Sequence, residues 1–327
     1  MISTWVLCNA LALLVAFGVD RWCGEPPARL HPVVWMGNYL GTLGAWVQQR
    51  TQQDPAVRDT KAFVLAALSW CAGVALFLIA FLLLLGAALE LPWWAAGVVI
   101  GLLLKPMLAW TMLQREVQAV EAALAEELDA GRERLRWLVS RDVQHLSASQ
   151  VRESAIETLA ENLNDSVVAP VFWFVLLGLP GAVLYRFANT ADAMWGYPGL
   201  YPAGAQGRNW AWAGKWAARA DDVLSWLPAR ITALLLLLVA GRRGRAVLPA
   251  LRVEAARTPS PNSGWPMAAM GLVLGVALRK PGVYVLHPEG REALAADMAL
   301  AQWLASKAVL ALVLIALAAL LLIASGA

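Results

Sequence analysis

Residues 62–89 read AFVLAALSWCAGVALFLIAFLLLLGAAL, an apolar run without one charged side chain. A helix needs about 20 such residues to cross the hydrocarbon core of a bilayer, so this stretch predicts a membrane span. Glu90 and Pro92 punctuate its end, and a second apolar run, 91–113, follows at once, which predicts a tight helical hairpin. Lys105-Pro106 interrupts that second run and predicts a kink, because proline removes a backbone donor. Runs at 2–19 and 308–324 complete four clear spans. Three others are ambiguous or partial: 167–185 carries Pro170 and Pro180, 223–240 carries Pro228 and Arg230, and 265–278 is short. The expected architecture is all-α, a polytopic integral membrane protein with one domain over 1–327 and a polar helical segment at 114–166.

Composition agrees. Of 327 residues, 60% are hydrophobic and 15% charged, and mean hydropathy is +0.58, against roughly 45–50% and about 25% for soluble domains. Leu and Ala dominate, favouring helices over a β-barrel. The 17 Trp residues suit membrane–water interfaces. A net charge of +3 gives no argument for nucleic-acid binding. Cys8, Cys23 and Cys71 match no metal or redox spacing and no disulfide framework. The first run lacks a basic flank and a cleavage site, and reads as a retained helix.

Arginine-rich loops face the cytoplasm as a rule. Loop 20–61 carries Arg21, Arg29, Arg50, Arg58 and Lys61, and loop 241–264 carries Arg242, Arg243, Arg245, Arg252 and Arg257. Both are expected inside, with the N-terminus outside. A full crossing by 167–185 would then put 186–222 outside, so partial insertion of the proline-broken stretches is preferred.

Four polar clusters carry the chemical interest. Glu153, Glu157, Glu161 and Asp165 recur every four residues, on one stripe of a helix that a capping box at Ser147–Gln150 begins. An ordinary wet helix face is one reading. Like charges at this spacing cost roughly 0.2–0.5 kcal/mol per pair, and no Lys or Arg on the stripe relieves them. A divalent ion such as Mg2+ could, with Asn162 and Asn164 beside it. The second cluster is Asn189, Asp192, Arg219, Asp221 and Asp222. Acids beside apolar spans suggest a site, although Asp221 or Asp222 would equally serve as an N-cap. The third is Glu25-Pro-Pro with His31-Pro, a stiff loop in which a lone His is more often structural than catalytic. The fourth is Ser260-Pro-Asn262-Ser-Gly264, a turn whose amides, beside arginines, could hold a phosphate. P-loop, dinucleotide, nucleophile-elbow and zincin motifs are all lacking.

Five segments in order, DRWCGEPPARLHPVVWMG (20–37), ETLAENLNDSVVAP (157–170), YRFANTADAMWGY (185–197), ARADDVLSWLPARITA (218–233) and SPNSGWPMAAMGLVLGV (260–276), resemble the CbiB/CobD family. Ser263 stands where that family often has Ala. The resemblance implies a C–N ligase of cobalamin (vitamin B12) biosynthesis, adenosylcobinamide-phosphate synthase. Such an enzyme joins adenosylcobyric acid to (R)-1-aminopropan-2-ol phosphate, with ATP as co-substrate and Mg2+ required, at the cytoplasmic membrane beside other late cobalamin-biosynthesis enzymes. On these motifs Glu157, Glu161 and Asp165 are expected to hold Mg2+ on ATP. Asp192, Asp222, Glu161 and His31 are the catalytic candidates, and Glu25, Asn162, Asn189, Arg219, Arg230 and Asn262 the substrate-binding ones. All are expected to converge on the cytoplasmic face. The rival readings are a membrane transporter and a non-catalytic corrinoid-enzyme scaffold.

Overall fold

The computed structural model describes residues 4–201 and 207–325; residues 2 and 3 of the expected span 2–19 lie outside them. In chain order the elements are α1 (Thr4–Trp22), α2 (Pro32–Gln48), α3 (Thr60–Leu89), α4 (Trp93–Leu104), α5 (Trp110–Glu126), α6 (Leu128–Arg136), α7 (Ala148–Leu163) and α8 (Ala169–Trp195). They continue as β1 (Leu200–Tyr201), β2 (Arg208–Asn209), α9 (Lys215–Val239), α10 (Arg242–Ala255), α11 (Gly264–Leu274), β3 (Leu278–Lys280), β4 (Tyr284–Leu286) and α12 (Ala295–Ser325). The protein is helical, and among the described residues the strands form two small antiparallel pairs, β1–β2 and β3–β4.

Among the described residues, six helical stretches are long and apolar enough to cross a membrane: Thr4–Trp22, Thr60–Leu89, Trp93–Glu126, Ala148–Trp195, Lys215–Val239 and Ala295–Leu322. The four clear sequence runs overlap them, and so do 167–185 and 223–240. The short run 265–278 does not: α11 ends at Leu274, where Gly275 turns left-handed at φ 70°. Lys105-Pro106 ends α4 in a 3-10 turn, Lys105–Met107, before α5 starts at Trp110. Inside α8 the helix breaks at Gly178, with φ 67° and ψ −158°; only glycine adopts this without strain, and Pro180 follows.

Within the expected polar helical segment 114–166, α5 stops at Glu126, because Glu127 is extended at φ −156°, ψ 146°. The chain turns there and α6 runs through Gly131, where a Cβ would meet Leu124 at 2.8 Å. Asp221 and Asp222 are not N-caps, since α9 begins at Lys215 and encloses both.

Packing divides the chain into two compact units, 1–108 with 170–224 and 320–327, and 109–169 with 225–319. In the first, α1 and α4 meet through Gly97 and Gly101. A Cβ on Gly101 would lie 2.6 Å from the Ala12 carbonyl oxygen, so small residues four apart let the two backbones touch, as in membrane helix pairs generally. In the same unit, Tyr39, Trp70, Phe77, Phe187 and Trp216 make an aromatic cluster, with Phe77 and Phe187 centroids 5.7 Å apart.

In the second unit, α7 opens on the predicted capping box. The Gln150 amide donates to Ser147 Oγ and the Ser147 amide to Gln150 Oε1, at 3.3 and 2.8 Å. The wet-face reading of α7 does not hold: Val151, Ala155, Leu159 and Leu163 are buried on one side, and Glu153 and Glu157 are buried as well. A π-helical turn, Asn164–Val168, follows α7.

Candidate active site

Buried carboxylates need partners, and those of α7 find them outside the helix. Arg141 Nη2 donates to Glu157 Oε2 at 2.8 Å and to Ser154 Oγ at 2.6 Å. Arg279 Nη1 donates to Glu153 Oε1 at 2.5 Å, and Ser149 Oγ donates to the same oxygen at 3.2 Å. The β3–β4 hairpin pairs Lys280 directly with Tyr284, which puts both side chains on one face. They line a cavity of about 150 Å3 with Ser140, Arg141, Glu157, Glu161 and Asn162. Burial, and the negative charge of Glu157 and Glu161 beside it, push the Tyr284 phenol well above its ordinary value. Tyr284 is therefore a hydrogen-bond donor in this cavity and not a phenolate.

The expected three-acid magnesium site is not formed. Glu157 is committed to Arg141. Among the described residues, no group of three or more His, Cys, Asp or Glu is placed to hold a metal ion. Asn164, in the π-helical turn, accepts from the Thr232 hydroxyl at 3.1 Å and donates to Asp165 Oδ1 at 2.8 Å. The i,i+4 repulsion inferred from the stripe is answered by Arg141, Arg279 and Lys280, which reach it from other segments.

Elsewhere in this unit Arg230 and Asn262, each expected separately to contact substrate, meet. Arg230 Nη1 donates to Asn262 Oδ1 at 3.1 Å, and its guanidinium stacks over Trp226 and Trp265. The turn amides imagined as a phosphate cradle are used internally, because Asn262 N and Ser263 N both donate to Ser260 Oγ at 3.2 Å.

The first unit holds another polar network. Lys105, 2% exposed, donates to Glu25 Oε1 at 2.6 Å and lies 2.9 Å from Asp20 Oδ1. His31 Nδ1 accepts from the Val33 amide at 3.2 Å and caps α2, while Nε2 lies 3.1 Å from Glu25 Oε2. A ring that accepts at Nδ1 carries its proton at Nε2, so it donates to Glu25. Both nitrogens are engaged, one capping α2 and the other bridging to Glu25. Burial alone would raise the Glu25 carboxyl, but hydrogen bonds from His31 and Lys105 and the charge of Lys105 outweigh it and hold it below the usual range. The same 3-10 turn that carries Lys105 offers its Met107 carbonyl to Arg186 Nε at 3.1 Å. Arg186 reaches Asn189, and Asn189 Nδ2 donates to Asp221 Oδ1 at 3.4 Å. Asp192 and Asp222 are half-buried on α8 and α9, and Arg219 is exposed.

Of the expected site residues, the first unit thus brings together Glu25 and His31, and its network extends to Asn189. The second places Glu157, Glu161 and Asn162 around one cavity. Sequence reading missed Lys105, Arg141, Arg186, Lys280 and Tyr284. Only Lys105 offered a signal, a lone cation inside an apolar run.

Helices long and apolar enough to cross a membrane, together with buried, paired charged side chains, define a polytopic helical membrane protein. The family model for CobD/Cbib protein matches residues 13–323. The chain is 41% identical over 277 residues, 84% of it and 85% of the relative, to a probable cobalamin biosynthesis protein CobD of Methanothermobacter thermautotrophicus. It is 40% identical over 273 residues, 83% and 81%, to the cobalamin biosynthesis protein CobD of Chromobacterium violaceum. Against a probable CobD of Methanothrix thermoacetophila, identity is 34% over 317 residues, 95% and 96%. The chain belongs to the CobD/CbiB family. No solved structure matches it.

Proposed function

We propose that this chain serves cobalamin biosynthesis as an enzyme, and that it forms the amide between adenosylcobyric acid and (R)-1-aminopropan-2-ol phosphate at the expense of ATP. A carboxylate does not accept an amine at neutral pH without activation. In this reading the carboxylate attacks the γ-phosphorus of ATP, giving an acyl phosphate and ADP. The neutral amine then attacks the acyl carbon, phosphate leaves, and the amine's proton passes to an acid among Glu161, Asp192 and Asp222. Magnesium enters as the counter-ion of the ATP phosphates, not as an ion caged by three acids of the chain. Arg219, Arg230, Asn189 and Asn262 are the candidate substrate contacts.

The observation that carries this reading is α7 in a chain of this family: a helix with two buried carboxylates, bordering a cavity of mixed charge, on the segment ETLAENLND. A scaffold has no need of buried, ion-paired acids, which cost free energy to desolvate. A location in the cytoplasmic membrane, with the site facing inward, rests on the arginine-rich loops.

Incubation of purified full-length protein with both substrates, ATP and Mg2+ is expected to yield adenosylcobinamide phosphate and ADP in equal amounts by mass spectrometry. Absence of product while corrinoid binds would favour the scaffold. Uptake into proteoliposomes without product would favour a transporter.

A further inference from the structure

α9 is long and apolar enough to cross a membrane, and it ends abruptly. It stops at Val239, and Gly241, at φ 60°, turns the chain straight into α10. A Cβ on Gly244 would collide with the Leu237 carbonyl, so glycine lets α10 cross the end of α9 at backbone contact. A helix that leaves a span in this way starts at the depth of the lipid headgroups. The composition of α10 suits that depth: Arg242, Arg243, Arg245 and Arg252 are exposed, and so are Leu248 and Val253. Helices that lie along a membrane surface combine basic and apolar side chains in the same way.

An open groove of about 480 Å3 is bordered by α9, α10 and α12, within the roughly 300–1,000 Å3 usual for small-molecule sites. Its wall is aliphatic. Leu234 and Leu238 of α9, Leu248 of α10 and Ile315 of α12 line it, each at least 50% exposed. Arg245 supplies charge to the lining, and Arg252, seven positions on, follows along the same edge of α10. The acid within α10 does not neutralise them. Glu254 is buried, pairs with Arg257 at 2.9 Å and accepts from the His287 amide at 2.6 Å. Among the described residues, no acid is paired with Arg245 or Arg252.

An aliphatic trough beside a guanidinium without a counter-charge matches a ligand with a long alkyl chain and an anionic head. A free phosphate would leave the leucines uncovered. A lipid of no net charge would bring its own cation toward the arginines. We infer that this groove is a binding site for an anionic phospholipid. One acyl chain lies along Leu234, Leu238 and Ile315, and the phosphodiester rests on Arg245, with Arg252 adding charge beside it. The planar guanidinium fork donates two parallel hydrogen bonds to such a group. The site is independent of the reaction proposed above.

The test is native mass spectrometry of the full-length protein released from detergent micelles. It is titrated separately with dioleoylphosphatidylglycerol and dioleoylphosphatidylcholine. The first is expected to bind about ten-fold more tightly, because basic residues at a membrane surface favour anionic lipids. Arg245→Gln is expected to weaken phosphatidylglycerol about ten-fold by removing a charge-assisted contact. Arg243→Gln removes the same charge about 200° round the helix, and should weaken it by no more than about two-fold, because an exposed charge away from the phosphate is screened. Both arginines are exposed, so neither variant threatens the fold. Ile315→Trp, which fills the trough, should weaken both lipids. Soluble glycerol 3-phosphate in large excess should displace neither. Equal affinity for the two lipids, equal losses in Arg245→Gln and Arg243→Gln, or unchanged binding in Ile315→Trp overturns the inference. Displacement by glycerol 3-phosphate would also overturn it, by showing a site for a free phosphate ester.

Discussion

Lys105 and Glu25 meet at 2.6 Å although eighty positions separate them in the chain. The ammonium is buried, shared with Asp20, and fixed by a proline-bearing turn. Removing one partner of a buried pair leaves the others charged and uncompensated, which costs about 3–5 kcal/mol. Lys105→Met is therefore expected to lower the thermal unfolding midpoint in detergent sharply, with Lys105→Arg intermediate. An unchanged midpoint for Lys105→Met would show that the pair carries no stability.

The Glu25 pairing also makes a pH prediction. Its carboxyl titrates lower folded than unfolded, where the value is about 4.3. The stabilisation is then complete above the unfolded value and is lost as pH falls through the folded one. Unfolding midpoints of wild type and Glu25→Gln should differ near pH 7 and converge toward pH 3. A gap that stays constant across this range would contradict the assignment.

His31 offers a sharper choice. As an N-cap it is replaceable by Asn, whereas Ala should cost about 1 kcal/mol. If it moved a proton during catalysis, both variants would lose roughly 100-fold or more in kcat. Near-wild-type turnover in His31→Asn, with reduced stability in His31→Ala, is the expected pattern.

Gly101 tests the α1–α4 seam. A side chain there meets the Ala12 carbonyl and Val15, and overpacking typically costs about 1–3 kcal/mol. Gly101→Leu should destabilise the protein, while Gly86→Leu, with nothing within 4 Å of its Cβ, should not. Equal behaviour in thermal unfolding would refute close helix contact.

What the sequence made legible was local. The charge-free runs, the Lys105-Pro106 break and the Ser147–Gln150 box depend on neighbours within a few positions, and each is found. The acid stripe of α7 was visible, but its meaning was not. Arg279 lies 126 positions from Glu153, and no periodicity announces a partner at that distance. The same holds for Lys105, which looks like a stray charge until Asp20 and Glu25 are seen around it. The hairpin carrying Lys280 and Tyr284 is only three residues per strand, too short to leave a pattern. Asp221 and Asp222 misled for a different reason: they look like helix starters, but α9 begins several residues earlier.

That hairpin has an implication for how the protein could be altered. Strand side chains alternate between faces, so a slip of one position exchanges the two sides. The turn at Pro281 and Gly282, with Gly282 at φ 73°, holds the register that pairs Lys280 with Tyr284. Losing one residue from it would rotate Arg279 toward the place of Lys280 and withdraw the phenol. Turn length here is a molecular ruler, and insertions or deletions at this bend would rearrange the cavity wall without substituting any residue of it.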